Sequence, residues 1–448
     1  MSRDTIRLPH DAYWLLQTLR TAGHSAYVVG GCVRDSLLGR MPGDWDICTS
    51  ARPDEMRALF HDQRMILTGE KHGTVAVILH GKPYEMTTYR LDGSYRDHRH
   101  PDSVQFVDDL AEDLARRDFT INAMAYSAEE GLIDPFVGRD DLAAHLVRAV
   151  GEPERRFEED ALRILRLYRF AARFGFAIDP ATGAAARALG PHLDCVSAER
   201  IQEELLKLLA APRPGSYLEP AVLAVILPEL EPEKQPERFA ELCRTIDRIE
   251  PTAENVPARL AALLCPLGEA GARKALRKLK CSNALTDEVT ALEREAGGGA
   301  GSFLLGHESG HSIARPIACG NRVPPQRTVL GETPGTPNTT LTVQAKRLLG
   351  RYELPTIQRM TALCSARHPE QAVAFAALRA EAEQLTAENA CCRVSQLAVN
   401  GRDLMAAGVR PGPGLRQVLN ALLEAVITGQ TPNEKDALLA AAAQFSAS

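Results

Sequence analysis

Hydrophobic and polar residues follow different patterns in the first third and in the rest of the chain. In the first 140 or so residues, short runs rich in β-branched and aromatic residues predict strands at 26–29, 45–47, 74–79, 84–89 and 104–107. From about residue 142, apolar residues recur at intervals of three and four, which is typical of amphipathic helices. These helical segments include 161–174, 201–209, 257–264, 345–349, 368–388, 418–427 and 436–445. The pattern predicts an α+β fold, in which a sheet-containing N-terminal part precedes an all-α remainder.

The segment 299–344 interrupts the helical pattern. It is rich in glycine, proline and threonine and has weak periodicity, so we predict an irregular linker or long loop. The run H-E-S-G-H at 307–311 matches a zinc signature, but its glycine-rich surroundings disfavour the helix that this signature requires. We therefore interpret the run as a chance match.

Length and composition narrow the classes of protein. With 448 residues the chain is long enough for about three domains, and 45% hydrophobic with 25% charged residues is typical of a soluble globular protein. No run approaches the ~18 apolar residues of a membrane span, and residues 1–20 lack the apolar region of a signal peptide. We expect no membrane association and a cytoplasmic location. Because the net charge is −6, any nucleic-acid binding must use a local basic patch.

The strongest chemical signal is a glycine pair followed by two aspartates. G-G-C-V-R-D at 30–35 follows an apolar run, and Asp44 and Asp46 come about ten residues later. On a strand, residues i and i+2 project from one face, so these carboxylates can share divalent cations such as Mg²⁺. Aspartates at this spacing alone are more often solvated in a turn. The glycines and Arg34 favour a phosphate site, because glycine admits close backbone approach and arginine is a forked donor.

Glu85 is a weaker candidate for a third carboxylate. It lies on the predicted strand 84–89, which can neighbour the strand that carries Asp44 and Asp46. A glutamate on a strand is more often a solvent-facing residue, so both interpretations stay open.

Two further clusters concentrate arginine. In R-R-D-F-T-I-N-A at 116–123, Arg117 can hold a phosphate or sugar, while Asp118 can instead cap a helix. The sequence E-D-A-L-R-I-L-R-L-Y-R-F at 159–170 spaces its polar residues by three, which places them on one helical face: Asp160, Arg163, Arg166 and Arg169. A solvated helix with salt bridges is the usual meaning of such a row. The arginines outnumber the nearby acids, however, so an anion or a base edge is a plausible partner.

In this order and spacing, the motifs resemble those of the class II tRNA nucleotidyltransferases, the CCA-adding enzymes, and of their bacterial poly(A) polymerase relatives. The resemblance covers about residues 25–215 and includes S-A-E-R-I at 197–201, which is similar to the family's last neck motif. The C-terminal runs at 397–404, 411–414 and 432–435 resemble the tail of the short Gram-positive type. That tail makes a poly(A) polymerase less expected.

The resemblance implies a catalytic head with a small mixed sheet, followed by an all-α neck, body and tail. It implies five divisions: a nucleotidyltransferase head at 1–140, a base-recognising neck at 141–215, a helical body at 216–298, the irregular segment 299–344 and a tRNA-binding tail at 345–448. In the tail, Arg402, Arg410 and Arg416 surround a Pro-Gly-Pro-Gly turn that would grip the tRNA elbow. The turn can equally separate two packed helices.

The resemblance also implies roles for the head motifs. Asp44 and Asp46 would hold Mg²⁺, and Gly31 and Arg34 would contact the triphosphate of the incoming nucleotide. Arg117 would help to position that nucleotide.

For the neck, the resemblance implies base recognition. Asp160 and Arg163 would read the incoming base, with Arg166 and Arg169 beside the same site. An aspartate accepts from an exocyclic amine and an arginine donates to a ring nitrogen or carbonyl, which fits the amino-bearing edges of C and A.

The implied function is template-independent addition of C, C and A to the 3′ end of tRNA from CTP and ATP, with release of pyrophosphate. The loop 92–101 resembles the family's flexible loop, which is needed for the switch to adding A. An A-adding tRNA nucleotidyltransferase or a poly(A) polymerase is the alternative enzyme, and a catalytically dead tRNA-binding protein is the alternative outside enzymes. A homodimer and a metal-binding role for Glu85 stay open.

Overall fold

The computed structural model describes residues 5–92, 104–297 and 339–445. The chain divides into two compact units, of which the first is Met1–Asp247 with Ala275–Cys281 and the second is Arg248–Lys274 with Ser282–Ser448. The first unit contains the sheet and the second is helical in its described residues. The predicted α+β class is therefore confirmed. No described helix combines the length and the apolar character that crossing a membrane requires.

A mixed sheet of seven strands forms the centre of the described head residues, as predicted. The strands of the first unit are β1 Ala26–Val29, β2 Ile47–Thr49, β3 Arg64–Ile66, β4 Thr74–Leu79, β5 Lys82–Thr88, β6 Arg90–Asp92, β7 Val104–Phe106, β8 Ala125–Ser127, β9 Gly131–Ile133, β10 Leu146–Val147 and β11 Ala177–Ile178. The sheet order is β3-β4-β5-β2-β1-β8-β9. Only β2 and β5 pair in parallel; the other neighbours are antiparallel.

The middle of this sheet is fully buried. All four residues of β1 and all three of β2 are buried, as expected for β-branched and apolar residues packed on both faces. Strands β6 and β7 form a separate antiparallel pair. The predicted flexible loop 92–101 lies outside the described residues apart from the backbone of Asp92.

Helices cover the sheet and continue into the regions predicted to be the neck and the start of the body. They are α1 His10–Thr21, α2 Gly31–Leu37, α3 Pro53–Leu59, α4 Leu110–Ala115, α5 Gly138–Ala143, α6 Pro153–Glu159, α7 Leu162–Phe174, α8 Pro180–Ala188, α9 Ala198–Leu209, α10 Pro220–Ile226 and α11 Pro236–Arg248. Helix α7 packs on α9 and ends at Phe174, and the next residue, Gly175, has a φ of 71° that suits a glycine cap.

The remaining described residues are helical. They form α12 Val256–Leu264, α13 Gly268–Lys278, α14 Asn283–Gly297, α15 Thr339–Arg351, α16 Leu354–Arg367, α17 Ala372–Ala387, α18 Gly401–Ala406, α19 Pro413–Ile427 and α20 Lys435–Phe445. Leu404, Leu422 and Leu438 bury the contact between the last three helices. Helix α15 begins within the segment 299–344 that was predicted to be irregular, and 299–338 lies outside the described residues. The division into head, neck, body and tail stays a prediction.

Candidate active site

The acidic pair lies in the segment that leads into β2, not on the strand itself. The strand was predicted at 45–47, but it begins at Ile47, one residue after Asp46. Trp45 and Ile47 are buried whereas Asp44 and Asp46 are exposed, so the alternation of a strand already holds here. The Val29 amide donates to the Asp46 carbonyl at 2.9 Å, which fixes this segment beside the end of β1. Both carboxylates therefore lie on one side, as expected, although the strand starts later.

Sheet register brings Glu85 to the same place. Ile47 lies opposite Met86 in the parallel pair of β2 and β5, so the preceding residues, Asp46 and Glu85, face each other across the two strands. Glu85 is exposed like the two aspartates.

Electrostatics link these three acids. Although part of Asp46 is exposed, the surrounding protein atoms reduce the hydration of its carboxylate, which raises its pKa to about 6. The charges of Asp44 and Glu85 add to this rise, while Arg117 opposes it. Repelling carboxylates of this kind suit a divalent cation, because its charge favours their ionised forms and oxygen is the ligand that Mg²⁺ prefers. Among the described residues no three ligating side chains are close enough to hold a metal ion without adjustment. Waters and the phosphates of a substrate would thus have to complete the coordination.

Arg117 connects the acids to the glycine turn. Gly30 joins β1 to α2 with a φ of 78°, and a Cβ at this position would lie 2.9 Å from the Arg117 Nη1. A residue with a side chain would thus be strained by its backbone and would displace the guanidinium. Arg117 also pairs with buried Asp113 at 3.4 Å, which keeps the guanidinium near Asp46.

Arg34 is built into the protein rather than exposed to solvent. It is 4% exposed, and its Nε donates to Asp35 at 2.8 Å while Nη1 donates to the Asn122 Oδ1. Its guanidinium also lies 4.8 Å from the centre of the Phe174 ring. Arg34 thereby ties α2 to α7, and its contact with a triphosphate stays a prediction. Gly31 opens α2 directly beside it.

Asp118 joins the R-R-D motif to α7. Its Oδ1 accepts from the Asn122 side chain at 2.9 Å, and its Oδ2 accepts from Arg166 Nε at 2.9 Å and Nη2 at 2.6 Å. Burial alone would raise its pKa, but Arg166 and Asn122 outweigh burial and hold the pKa at about 2. No α-helix follows Asp118, only the 3-10 turn Thr120–Asn122, so the α-helix cap considered from the sequence is not formed.

Asp160 does not share a helical face with the arginines. It lies between α6 and α7 in an extended conformation, with φ −145° and ψ 102°, and the row on α7 begins at Arg163. Asp160 Oδ1 accepts from the Leu162 amide at 3.1 Å and Oδ2 from Arg200 at 2.8 Å. The predicted four-residue ladder is therefore wrong at its first member.

The guanidinium of Arg163 is held by three groups from neighbouring segments. It donates to the Arg156 carbonyl at 3.0 Å, to Glu159 at 2.7 Å and to the Arg116 carbonyl at 2.9 Å, as single hydrogen bonds from its two terminal nitrogens. Arg163 is 9% exposed, so its orientation is fixed before any ligand arrives.

Comparison with known proteins identifies the family. The poly(A) polymerase head domain matches residues 26–148, an RNA- and SrmB-binding site of polymerase A matches 175–234, and tRNA nucleotidyltransferase domain 2 matches 346–442. The CCA-adding enzyme of Geobacillus stearothermophilus is 35% identical over 442 residues, covering 96% of this chain and 95% of the relative. That of Lactiplantibacillus plantarum is 34% identical over 427 residues, covering 95% and 93%. The chain belongs to the CCA-adding nucleotidyltransferases.

Solved structures agree with this assignment. A crystal structure of the Bacillus stearothermophilus CCA-adding enzyme in complex with CTP has a TM-score of 0.74 and 32% identity, covering 97% of this chain and 96% of that one. The fold of a Thermotoga maritima CCA-adding enzyme is also similar, with a TM-score of 0.65. The predicted resemblance is thus confirmed, and nucleotidyltransferases of this kind generally use a divalent metal ion.

In this member of the CCA-adding nucleotidyltransferases, the structure groups the predicted residues in two places. Gly31, Asp44, Asp46 and Arg117 lie around the β1–α2 turn. The others lie on or beside α7: Arg34, Asp160, Arg163, Arg166 and Arg169. Arg34 bridges the two groups through its bond to Asn122.

The sequence did not reveal the acids that pair with the α7 arginines. The arginines were expected to outnumber the nearby acids, but distant segments supply Asp118 for Arg166 and Glu204 for Arg169. Glu204 lies on α9, and only the 3.6-residue period, which places it on the buried face of that helix, could have pointed to it. Most of the row is therefore internally neutralised.

Proposed function

We propose that this chain adds C, C and A to the 3′ end of tRNA from CTP and ATP without a nucleic-acid template, releasing pyrophosphate. The observation that carries the proposal is the acidic group around Asp46 beside Gly30 and Arg117, in a chain of the CCA-adding family. The names of its relatives and the CTP complex of one of them support the choice of substrates.

Asp44 and Asp46 would hold Mg²⁺, with Glu85 as a third carboxylate. The bound ion would favour the deprotonated 3′-hydroxyl of the primer and offset the charge of the triphosphate. The Asp46 pKa is raised mainly by loss of hydration, and repulsion from Asp44 and Glu85 adds to the rise. That added repulsion supports the assignment, because a cation would reverse it. The primer hydroxyl would then attack the α-phosphate in line, and pyrophosphate would leave.

Gly31, Arg34 and Arg117 would hold the triphosphate. Arg117 is the best placed of the three, since it lies against the backbone of Gly30 and its charge acts on Asp46. Arg34 is buried and bonds Asn122, so it would contribute by fixing the position of α2 beside the triphosphate. Holding the reactants in line accounts for much of the catalysis in such transfers.

Asp160 and Arg163 would read the base, with Arg166 and Arg169 fixing α7 beside them. Both reading groups are already oriented: Asp160 by Arg200 and the Leu162 amide, and Arg163 by Glu159. A fixed acceptor and a fixed donor can select the amino-bearing edges of C and A without a template, and reject U and G.

The helices of the C-terminal part would bind the body of the tRNA. Arg402, Arg410 and Arg416 are all exposed around the turn between α18 and α19, where Gly412 has a φ of 138°. Exposed arginines can contact backbone phosphates without reading sequence. The residues proposed for the chemistry all belong to one chain, so the proposal does not depend on a homodimer.

Three tRNA primers test the proposal: one ending before CCA, one after the first C and one after CC. Each primer is incubated with Mg²⁺ and with CTP or ATP alone. We expect CTP to extend the first two primers and ATP to extend only the third. Extension of the third primer alone would indicate an A-adding enzyme, and long A tracts would indicate a poly(A) polymerase. Failure on all three primers would reject the proposal in favour of a tRNA-binding protein without activity. The match of 346–442 to a tRNA nucleotidyltransferase domain disfavours a poly(A) polymerase, and the presence of both aspartates disfavours an inactive tRNA-binding protein.

A further inference from the structure

Several arginine side chains lie against two phenylalanine rings at the C-terminal end of α7. The rings of Phe170 and Phe174 are stacked, with centroids 6.1 Å apart and planes 4° apart. Guanidinium carbons lie between 4.0 and 5.4 Å from one or both centroids, and they belong to Arg34, Arg40, Arg166, Arg169 and Arg173. This group of residues is called the arginine cluster below.

Positive charge exceeds negative charge in the arginine cluster. Three carboxylates pair with its inner members: Asp118 with Arg166, Glu204 with Arg169 and Asp35 with Arg34. Arg173 reaches only the Asp35 that Arg34 already uses, at 3.7 Å, and 49% of its side chain is exposed. The exposed guanidinium of Arg40 makes no hydrogen bond or ion pair with any described residue and only stacks on Phe174, at 5.1 Å. The unbalanced charge therefore lies on Arg40 and Arg173.

The two unbalanced guanidinium groups share one ring. Arg40 lies 5.1 Å and Arg173 lies 5.4 Å from the Phe174 centroid, and Arg34 lies 4.8 Å from the same centroid, so these like charges are close. Burial lowers the pKa of Arg34, and the charge of Arg173 adds to this effect. Stacking on an aromatic face holds a guanidinium in place while its N–H donors stay available. An anion between such groups would relieve the repulsion and take a forked donor from each.

We propose that Arg40 and Arg173 bind a backbone phosphate of the RNA strand whose 3′ end is extended. The inference rests on the proposed function. Arg40 comes four residues before Asp44, so chain length alone keeps their Cα atoms within about 14 Å, or two to three nucleotides along an RNA strand. The phosphates of the incoming nucleotide would have a separate partner in Arg117, which lies near Gly30 and whose charge acts on Asp46. A second phosphate site at this distance suits the primer.

The test separates RNA binding from nucleotide binding. For Arg40→Ala, Arg173→Ala and the wild type, the Kd of tRNA lacking CCA is measured without nucleotide at several salt concentrations, and the KM for CTP is measured at saturating tRNA. We expect each variant to weaken tRNA binding about tenfold at low salt, since a charge-assisted contact is lost. The slope of log Kd against log salt should fall by about 0.7 for each variant, and the KM for CTP should stay within about twofold of the wild-type value.

Two variants serve as controls. Arg57→Ala removes an exposed arginine elsewhere in the head and should leave the tRNA Kd unchanged. Arg40→Lys keeps the charge and should recover most of the binding. An unchanged tRNA Kd in both alanine variants would overturn the inference, as would a raised KM for CTP with an unchanged tRNA Kd, which would assign the pair to the nucleotide. If the wild type binds tRNA but adds no nucleotide, the proposed function fails, whereas this inference is still tested because the tRNA Kd is measured without catalysis.

Discussion

At the scale of single residues, repulsion between carboxylates marks the candidate metal site. Loss of hydration is the main cause of the raised pKa of Asp46; the charges of Asp44 and Glu85 raise this pKa further, and the charge of Arg117 lowers it. Neutralising Asp46 would leave a bound cation with fewer charged ligands and the triphosphate with less compensation.

We predict that Asp46→Ala abolishes the addition of both C and A. The expected loss in kcat is at least about a hundredfold, because an electrostatic contribution to the transition state is removed. The measurement is single-nucleotide extension of the tRNA primers with CTP or with ATP. Asp62→Asn, which changes an exposed carboxylate in the same unit, should retain activity. Retention of C addition by Asp46→Ala would contradict the assignment.

The Arg163 guanidinium has a fixed orientation that suits its proposed role in reading the base. Its donors are held by Glu159 and by the carbonyls of Arg156 and Arg116. We predict that Arg163→Ala relaxes the choice of base, so that UTP and GTP are incorporated more readily relative to CTP and ATP, while some turnover remains. Competition assays with all four nucleotides measure this ratio. A variant with wild-type selectivity would show that Arg163 supports the fold and does not read the base.

At the scale of elements, the turn between β1 and α2 places the nucleotide-binding groups. Gly30 has a φ of 78° and lies against Arg117, whereas a Cβ added at Gly43 would have no atom within 4 Å. We predict that Gly30→Ala lowers the free energy of unfolding by about 1–2 kcal/mol and raises the KM for CTP, because the backbone is strained and Arg117 must move. Urea unfolding and initial rates measure the two effects. Gly43→Ala is the control, and equal behaviour of the two variants would contradict this account of the turn.

Local patterns predicted five of the eleven strands given above and a mostly helical remainder, but they misassigned the local structure of three candidate carboxylates. Asp44 and Asp46 keep the alternation of a strand, yet the paired strand begins only at Ile47, since pairing depends on β5 forty residues later. Asp160 fits a helical period, but the backbone turns there between α6 and α7 without a glycine or proline to signal the break. Both errors arise where tertiary contacts override local preference.

The same limit applies to the arginine row. Its spacing was visible in the sequence, but its partners Asp118 and Glu204 come from the head and from α9. No pattern within the segment contains that information, because ion pairs between distant residues depend on the finished fold. Family resemblance supplied the candidate site residues, which stay a prediction, whereas the structure shows which groups hold their side chains.

At the scale of the whole molecule, the two units have different roles in the account. The first carries the acids, the glycine turn and α7, and the second carries the described C-terminal helices. The second unit also has a buried titratable group, Glu293 on α14, which is 3% exposed. Burial raises its pKa from 4.5 to about 7, against smaller opposing effects of Arg367 and Cys265.

We predict that the contribution of Glu293 to stability falls as the pH rises from 4.5 to about 7. The folded protein keeps Glu293 protonated up to about pH 7, whereas the unfolded chain ionises it above 4.5, so its contribution is full below 4.5 and lost above about 7. The free energy of unfolding of Glu293→Gln minus that of the wild type should therefore be larger at pH 8 than at pH 5, by about 2–3 kcal/mol. Urea unfolding at both pH values measures this. Exposed Glu254→Gln is the control, and a pH-independent difference for Glu293→Gln would refute the assignment.

The most direct test of the central claim is to sequence the 3′ ends that the purified protein makes on tRNA lacking CCA when CTP and ATP are supplied together with Mg²⁺. The account predicts that the chain adds C, C and A, in that order, and then stops. Products that end in A alone, in repeated A, or without any addition would contradict it.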